Sequence, residues 1–476
     1  MIPESLAKCS CGGCGKAIQF PATGEGCVIN CPHCGAPTRL VATGHERPRE
    51  GATRLPRRPV SIAYKLSLVL VTAAVLLLPV IYLALIPLEI WGAHAYSYSA
   101  RTLTAIGYRH LYSPRGDWIG LEMLIYLGLF FLVPAQILSL VKPFFAQRAR
   151  RQRAVALDPA LQPQVEAFVA RICGIVGAPL PARTELDCKL NASVELRGRW
   201  GLFKNEMVLR LGLPLVAALN QRELAGVLAH EFGHFTQGFG LRMSYLIRGV
   251  NRWFERAVSE RDALDFWLER MAEESSMQLQ VLAHLALLAV AFARWLLKGL
   301  AKTGQAVSCL LLRQMEYDAD SYEITLAGSA AFKATTRRLA TLREALINAN
   351  KEASATWYLG RHLPDNFPAY LLYHESRIPV AIRQAAEAKL ARTKTGPFDS
   401  HPSDGDRMRR ARETNEPGIF GEDKPATALF AHYDLVAREV TYFHYVEELG
   451  LDLDLGGANL RPTPVAPSSG GPETES

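Results

Sequence analysis

Glu231 directly follows one histidine and precedes another by three residues, in the stretch LAHEFGHFTQ (Leu228–Gln237). On a helix, His230 and His234 lie on one face, one turn apart. That spacing lets two imidazoles bind a single zinc ion, and Glu231 sits where it can hold and deprotonate a water beside that ion. A third ligand is then required. A second helical stretch, LLRQMEYDADSYEITLAG (Leu311–Gly328), offers Glu316 and Asp320 four residues apart on a shared face. A glutamate there can complete the donor set, and an aspartate one turn on can accept the hydrogen bond of a ligand histidine. The plainer reading of the same pair is a solvated acidic face.

These residues need elements to hold them. LNQRELAGVLAHEFGHFTQG (Leu219–Gly238) has the pattern of one helix. Asn220 and Glu223 form a capping box at its start, and Leu224, Val227 and Leu228 line an apolar face. Gly238 is placed to end it. Upstream, SVELRG (Ser193–Gly198) and EMVLRLG (Glu206–Gly212) read as strands of a small β-hairpin. An exposed edge of such a hairpin suits an extended peptide backbone; the alternative is that both edges are covered.

A different metal chemistry is written at the front. Six of the nine cysteines fall within the first 34 residues. CGGC (Cys11, Cys14) and CPHC (Cys31, Cys34) have the spacing of a zinc ribbon, in which two Cys-x-x-Cys turns aim four thiolates at one ion. Cys9 and Cys27 are spare and could substitute as ligands. An all-sulfur site is closed, hence structural, and supplies the folding energy of a module with almost no core. Its expected role is docking, to a partner, a substrate or the neighbouring domain. Nucleic acid is not expected as a partner, because Cys11–Leu40 offers few basic and aromatic residues.

The apolar residues are unevenly spread. Leu66–Leu88 is 23 residues without a charge, and Trp118–Val141 is 24 residues with one, Glu122. About 20 apolar residues cross a bilayer core. Two basic clusters, Arg47–Arg58 and Lys142–Arg153, flank this pair of spans and hold much of the net charge of +7. By the positive-inside rule both long ends lie on the cytoplasmic side. A third apolar run, Leu279–Leu297, falls between the two metal-binding stretches. Glu316 must reach the same ion as His230, so the chain between them crosses a membrane an even number of times. The segment Lys298–Met315 is too polar for a return span. The run is therefore expected to be a buried helix, a membrane-surface helix or a lid, with His284 and Arg294 satisfied locally.

In the combination and order of LNAS (Leu190–Ser193), a hairpin, ELAGVLAHEFGH (Glu223–His234), EYDAD (Glu316–Asp320) and SHPSDGDRMRR (Ser400–Arg410), the chain resembles the integral-membrane zinc metalloproteases of the HtpX and CAAX prenyl endopeptidase type. The resemblance covers roughly Ala154 to Arg410, plus the preceding pair of spans. It implies that His230, His234 and Glu316 are zinc ligands, that Glu231 is the general base, and that His401 stands near the active site. The ribbon and the long segment Phe239–Met315 depart from the family pattern.

The expected fold is mainly α. It comprises an N-terminal zinc ribbon (1–45), a basic linker (46–65), a two-span membrane hairpin (66–141), a basic juxtamembrane linker (142–154), a zincin-type (gluzincin) α+β metalloprotease domain (155–450) and a disordered tail (455–476). The expected protein is an integral membrane protein of a bacterial inner or plasma membrane, with its termini and catalytic domain cytoplasmic. It binds one catalytic and one structural zinc ion. It hydrolyses protein or peptide substrates, in keeping with the membrane-protein quality control that the resemblance implies. The competing reading is a non-proteolytic membrane adaptor that docks partners through the ribbon.

Overall fold

The computed structural model describes residues 6–10, 17–21, 28–35, 37–39, 54–55, 62–107, 137, 154–197, 206–236, 239–259, 261, 263–274, 276–453 and 459–464. At the front, β1 (Leu6–Ser10) pairs antiparallel with β2 (Ala17–Pro21), and β3 (Val28–Asn30) with β4 (Pro37–Arg39). The expected second span, 118–141, lies outside the described residues apart from position 137.

The stretch expected as the first span is helical, but its helix does not stop at Leu88. Helix α1 runs Ile62–Gly107 and passes through Pro79 and Pro87. The stretch expected as a loop between spans is therefore helical through Gly107. Nothing from Leu88 to Gly107 forbids it, since no further proline follows Pro87 there.

The next described region opens with β5 (Val155–Ala156) and α2 (Pro163–Val176), followed by β6 (Arg183–Asp187), β7 (Ala192–Arg197) and β8 (Glu206–Gly212). The anticipated β7–β8 hairpin forms, with Val194 opposite Leu209. It belongs, however, to a four-stranded sheet of order β5-β6-β8-β7. β6 lies parallel to β8, which makes β8 an inner strand and explains why Met207 to Gly212 are all buried.

Helix α3 (Leu213–Ala218) leads into α4 (Gln221–Thr236), which carries the two histidines. The capping box forms: the Asn220 side chain accepts the Glu223 amide at 2.8 Å, and Glu223 accepts the Asn220 amide at 3.1 Å. Leu224, Leu228 and Phe232 bury one face of α4 in the main core, beside Ile172 and Val176 of α2 and Leu209 and Leu211 of β8.

The long insertion is a helical excursion. Helices α5 (Phe239–Ser259) and α6 (Ala263–Glu274) are followed by α7 (Met277–Ala327), one helix of 51 residues. Leu68 of α1, Ile247 of α5 and Leu312 of α7 pack together, and further along Tyr82, Phe254, Ala293 and Leu297 do the same. α1 and α5 therefore run antiparallel to α7. Asp265 of α6 meets Arg294 of α7 at 2.7 Å.

The path to Glu316 thus goes out along α5 and α6 and comes back along α7. The Leu279–Leu297 run is the first part of the helix that ends in the stretch carrying Glu316 and Asp320, not a separate lid. His284 is met by the Gln280 carbonyl at 2.7 Å. Tyr64–Gly92 in α1 and Leu279–Ala327 in α7 are, among the described residues, the helices long and apolar enough to cross a membrane. Leu70, Leu77, Val80, Leu288, Phe292 and Trp295 point outward from them.

The remainder is α8 (Ser329–Gly360), β9 (Leu363–Pro364), α9 (Phe367–Ser376), α10 (Val380–Arg392), α11 (Asp404–Thr414), α12 (Tyr433–Phe443) and β10 (Leu460–Arg461). Of the stretch expected as a disordered tail, 455–476, residues 459–464 are described, and they are ordered against the domain. β10 pairs parallel with β9, and Thr463 bonds the Asp365 carboxylate at 2.8 Å, so two polar side chains hold a segment whose composition reads as low complexity.

Candidate active site

Two glycines decide how near α4 and α7 come. A Cβ on Gly226 would stand 2.8 Å from the Ala327 Cβ, and one on Gly233 would stand 2.9 Å from the Tyr322 ring. Both lie on the α4 face that meets α7, two turns apart. With no side chain there, the two backbones approach closely enough for donors from both helices to converge.

The donors do converge. His230 Nε2 is 3.6 Å from Glu316 Oε2, and His234 Nε2 is 3.9 Å from Glu316 Oε1. Donor atoms of all three residues lie within 4.8 Å of one another. A tetrahedral zinc ion with bonds of about 2.0–2.1 Å sets its ligand atoms about 3.4 Å apart. The separations are within a small side-chain adjustment of that value. Two imidazoles and one carboxylate are also the donor set of an open zinc site, with one position left for water or substrate. The residues fit the ion.

Behind His230 stands Asp320, whose Oδ1 is 3.0 Å from Nδ1, in contact but off the line of a good hydrogen bond. Arg407 of α11 grips Asp320 with Nε at 2.9 and 3.1 Å from its two oxygens. Glu323 Oε2 is 3.7 Å from the same His230 nitrogen. These carboxylates form a second acidic group on the side of the ring that faces away from Glu316.

Protonation follows from burial and these neighbours. Burial, with the charge of His230 adding to it, pushes His234 down to about 3, leaving its imidazole neutral as a ligand must be. Burial works against a charged His230 as well, but Asp320 and Glu316 outweigh it and carry this pKa well above the usual value. Burial also raises Glu231, while His230 pulls it partway back.

His401 lies in the loop before α11, its side chain 61% exposed and its Nδ1 3.3 Å from Glu316 Oε1. Arg313 of α7 clamps that loop, bonding the carbonyls of Pro397 at 2.6 Å and Asp399 at 2.8 Å. All the residues expected at this site are thus gathered in one place: His230, Glu231, His234, Glu316, Asp320 and His401.

Three neighbours were missed in the sequence. Arg407 lay inside the quoted SHPSDGDRMRR stretch and went unassigned. Arg248 reaches Glu316 Oε1 at 2.7 Å from α5, and Tyr245 donates its hydroxyl to the Val194 carbonyl at 3.2 Å. The last contact occupies one main-chain acceptor of β7, the strand at that edge of the sheet. No local motif marks Arg248 or Tyr245.

In the front segment expected to be a ribbon, Cys31 is buried and Cys34 exposed, in a turn where the His33 amide points at Cys31 Sγ at 3.4 Å and Gly35 takes φ +73°. Cys11 and Cys14 lie outside the described residues.

The sequence profile of Peptidase family M48 matches residues 199–415, an interval that holds the site from α4 to α11. No curated protein and no solved structure matches the chain. The chain carries a peptidase family M48 domain over residues 199–415, and with it the metallopeptidase class of hydrolases.

Proposed function

We propose that the protein is a membrane-anchored zinc endopeptidase in which His230, His234 and Glu316 hold the catalytic ion. The observation that supports this most is the convergence of three donor atoms within 4.8 Å, beside a partly buried glutamate on the same helix as the histidines. Zinc bound there supplies Lewis acidity to the scissile carbonyl and makes water a better nucleophile. Glu231 takes the proton of the attacking water and later delivers it to the leaving amine. A carboxyl raised by burial is suited to both tasks, since it holds a proton more readily than an exposed glutamate. Asp320 orients His230, Arg407 orients Asp320, and His401 stands at the exposed side of the site, where it can meet the substrate.

The substrates are proteins or peptides. The proposed setting is membrane-protein quality control in a bacterial inner or plasma membrane, with the catalytic domain and both termini cytoplasmic. α1 and the second apolar stretch, 118–141, form the anchor. Cys11, Cys14, Cys31 and Cys34 hold a structural zinc in a ribbon that docks a partner. The metalloprotease domain extends over 155–450, beyond the matched interval on both sides.

The test is casein cleavage by detergent-purified protein, with and without a chelator, for the wild type and for Glu231→Gln. The expected result is zinc-dependent cleavage in the wild type, and full zinc occupancy without cleavage in the variant, because an amide cannot accept the proton. Undiminished cleavage by zinc-loaded Glu231→Gln would sink the mechanism.

A further inference from the structure

Glu316 differs from the two histidines in how it is held. The imidazoles stand on a helix seated in the main core, and His230 has Asp320 at its back. Glu316 has a longer, more flexible side chain and stands on α7, whose apolar half lies far from that core. Its carboxylate is nonetheless only 8% exposed, and Arg248 Nη2 sits 2.7 Å from Oε1. Oε2 is left facing His230 Nε2.

Arg248 is itself fixed from both sides. One residue before it, Ile247 is fully buried against Leu68 and Leu312. Three residues before it, Tyr245 is tied to β7 through the Val194 carbonyl. Three residues after it, Asn251 Nδ2 donates to Ser308 Oγ at 3.0 Å. Two of these anchors, Leu312 and Ser308, are on α7, one and two turns before Glu316. The register of α5 against α7 therefore delivers the guanidinium to the carboxylate.

We propose that Arg248 is a positioning residue of the metal centre: by holding Oε1, the oxygen on the His234 side, it fixes the carboxylate of Glu316 between the two imidazoles with Oε2 turned to His230. This rests on the reading of His230, His234 and Glu316 as the zinc site. An exposed Arg–Glu pair would be worth little, but this carboxylate is buried, and groups that orient a ligand from behind affect metal affinity strongly. The opposite role is a guanidinium that competes with the ion for Glu316. The geometry argues against it, because with Arg248 in place one donor atom from each of the three residues still lies within 4.8 Å of the others, and Oε2, 3.6 Å from His230 Nε2, is not the oxygen that Arg248 holds.

The experiment is a zinc titration of the full chain in detergent against a chromogenic chelator. Active-site zinc is read as the difference between each protein and the same protein carrying His230→Ala. Arg248→Ala is expected to weaken that zinc by about 10–100-fold, with the melting temperature at saturating zinc unchanged. Arg248→Lys, which keeps the charge but not the fork, is expected to fall between the two. Unchanged affinity in Arg248→Ala overturns the proposal, and tighter binding replaces it with the competing role. If Arg248→Ala fails to fold, Arg248→Gln is judged on the same scale. Loss of all His230-dependent zinc already in the wild type would defeat the parent reading instead, a result distinguishable from a wild type that binds zinc and a variant that binds it equally well.

Discussion

Replacing Arg407 with methionine tests how much of the site is held from behind. Methionine keeps most of the length of the side chain and removes the guanidinium. The Asp320 carboxylate is 2% exposed and loses a partner whose Nε stands 2.9 and 3.1 Å from its oxygens. What remains is a buried carboxylate crowded by Glu323, with His230 the closest of the described groups that can carry a positive charge. Breaking a buried ion pair by removing one partner costs about 3–5 kcal/mol. At about 2–4 °C per kcal/mol for a domain of this size, the melting temperature should fall by about 6–20 °C. The lower half of that range is expected, because the Arg407 side chain is 23% exposed and part of the charge is already solvated. Adding Asp320→Asn to Arg407→Met removes the uncompensated charge and should recover at least half the loss. The assay is a thermal scan of detergent-purified protein at saturating zinc, with zinc affinity measured in parallel and expected to drop about 10–100-fold. A single variant that melts within about 2 °C of wild type would put the pair below about 1 kcal/mol and refute the argument, as would a double variant less stable than Arg407→Met alone.

Three further outcomes are expected. Metal analysis should find two zinc ions per chain, and Cys31→Ser with Cys34→Ser should remove one while leaving proteolysis at least partly intact; a single zinc in the wild type would void one of the two sites. Reporters fused after Arg153 and after Thr303 should both read as cytoplasmic, and opposite sides would mean that Leu279–Leu297 crosses a bilayer singly and that Glu316 cannot reach the ion. His401→Ala should keep zinc but lower turnover by about 10²–10³-fold if the imidazole steadies the developing oxyanion; nearly unchanged turnover would leave it as a loop residue beside Pro402.

Local signals carried much of the site. Asn220 and Glu223 announced the start of α4, and the four-residue spacings of His230 with His234 and of Glu316 with Asp320 placed each pair on one helix face. What stayed hidden depends on contacts far apart in sequence. The parallel pairing of β6 with β8 has no turn to advertise it, so only the β7–β8 hairpin was legible. Arg407 is 87 residues from Asp320, and Arg248 is 68 from Glu316; each is one of 53 basic residues with nothing local to single it out. The unbroken course of α7 was not legible because the apolar run Leu279–Leu297 and the stretch Leu311–Gly328 read as separate elements, with Lys298–Met315 judged only too polar to cross a bilayer. Its polar side chains have partners off the helix, such as Asn251 for Ser308 and the 396–399 loop for Arg313, so the segment has no need to break.

That continuity shapes how the candidate metal centre is built. At 1.5 Å per residue the 51 residues of α7 span about 75 Å. One end carries the apolar run Leu279–Leu297 and the other carries Glu316 and Asp320. The histidines belong to the globular core, so the donor set is shared between that core and a helix whose far end is apolar. A sideways shift of α7 would move Glu316 while leaving His230 and His234 where they are. Two sets of contacts resist it. On the core side, Gly226 and Gly233 let α4 seat directly against Ala327 and Tyr322, so any separation there opens a gap in close-packed atoms. On the other side, α5 pins α7 through Leu312 and Ser308 and reaches past both with Arg248 to the carboxylate itself. The insertion that looked like an interruption between two halves of a motif is, in the folded chain, what braces the second half against the first.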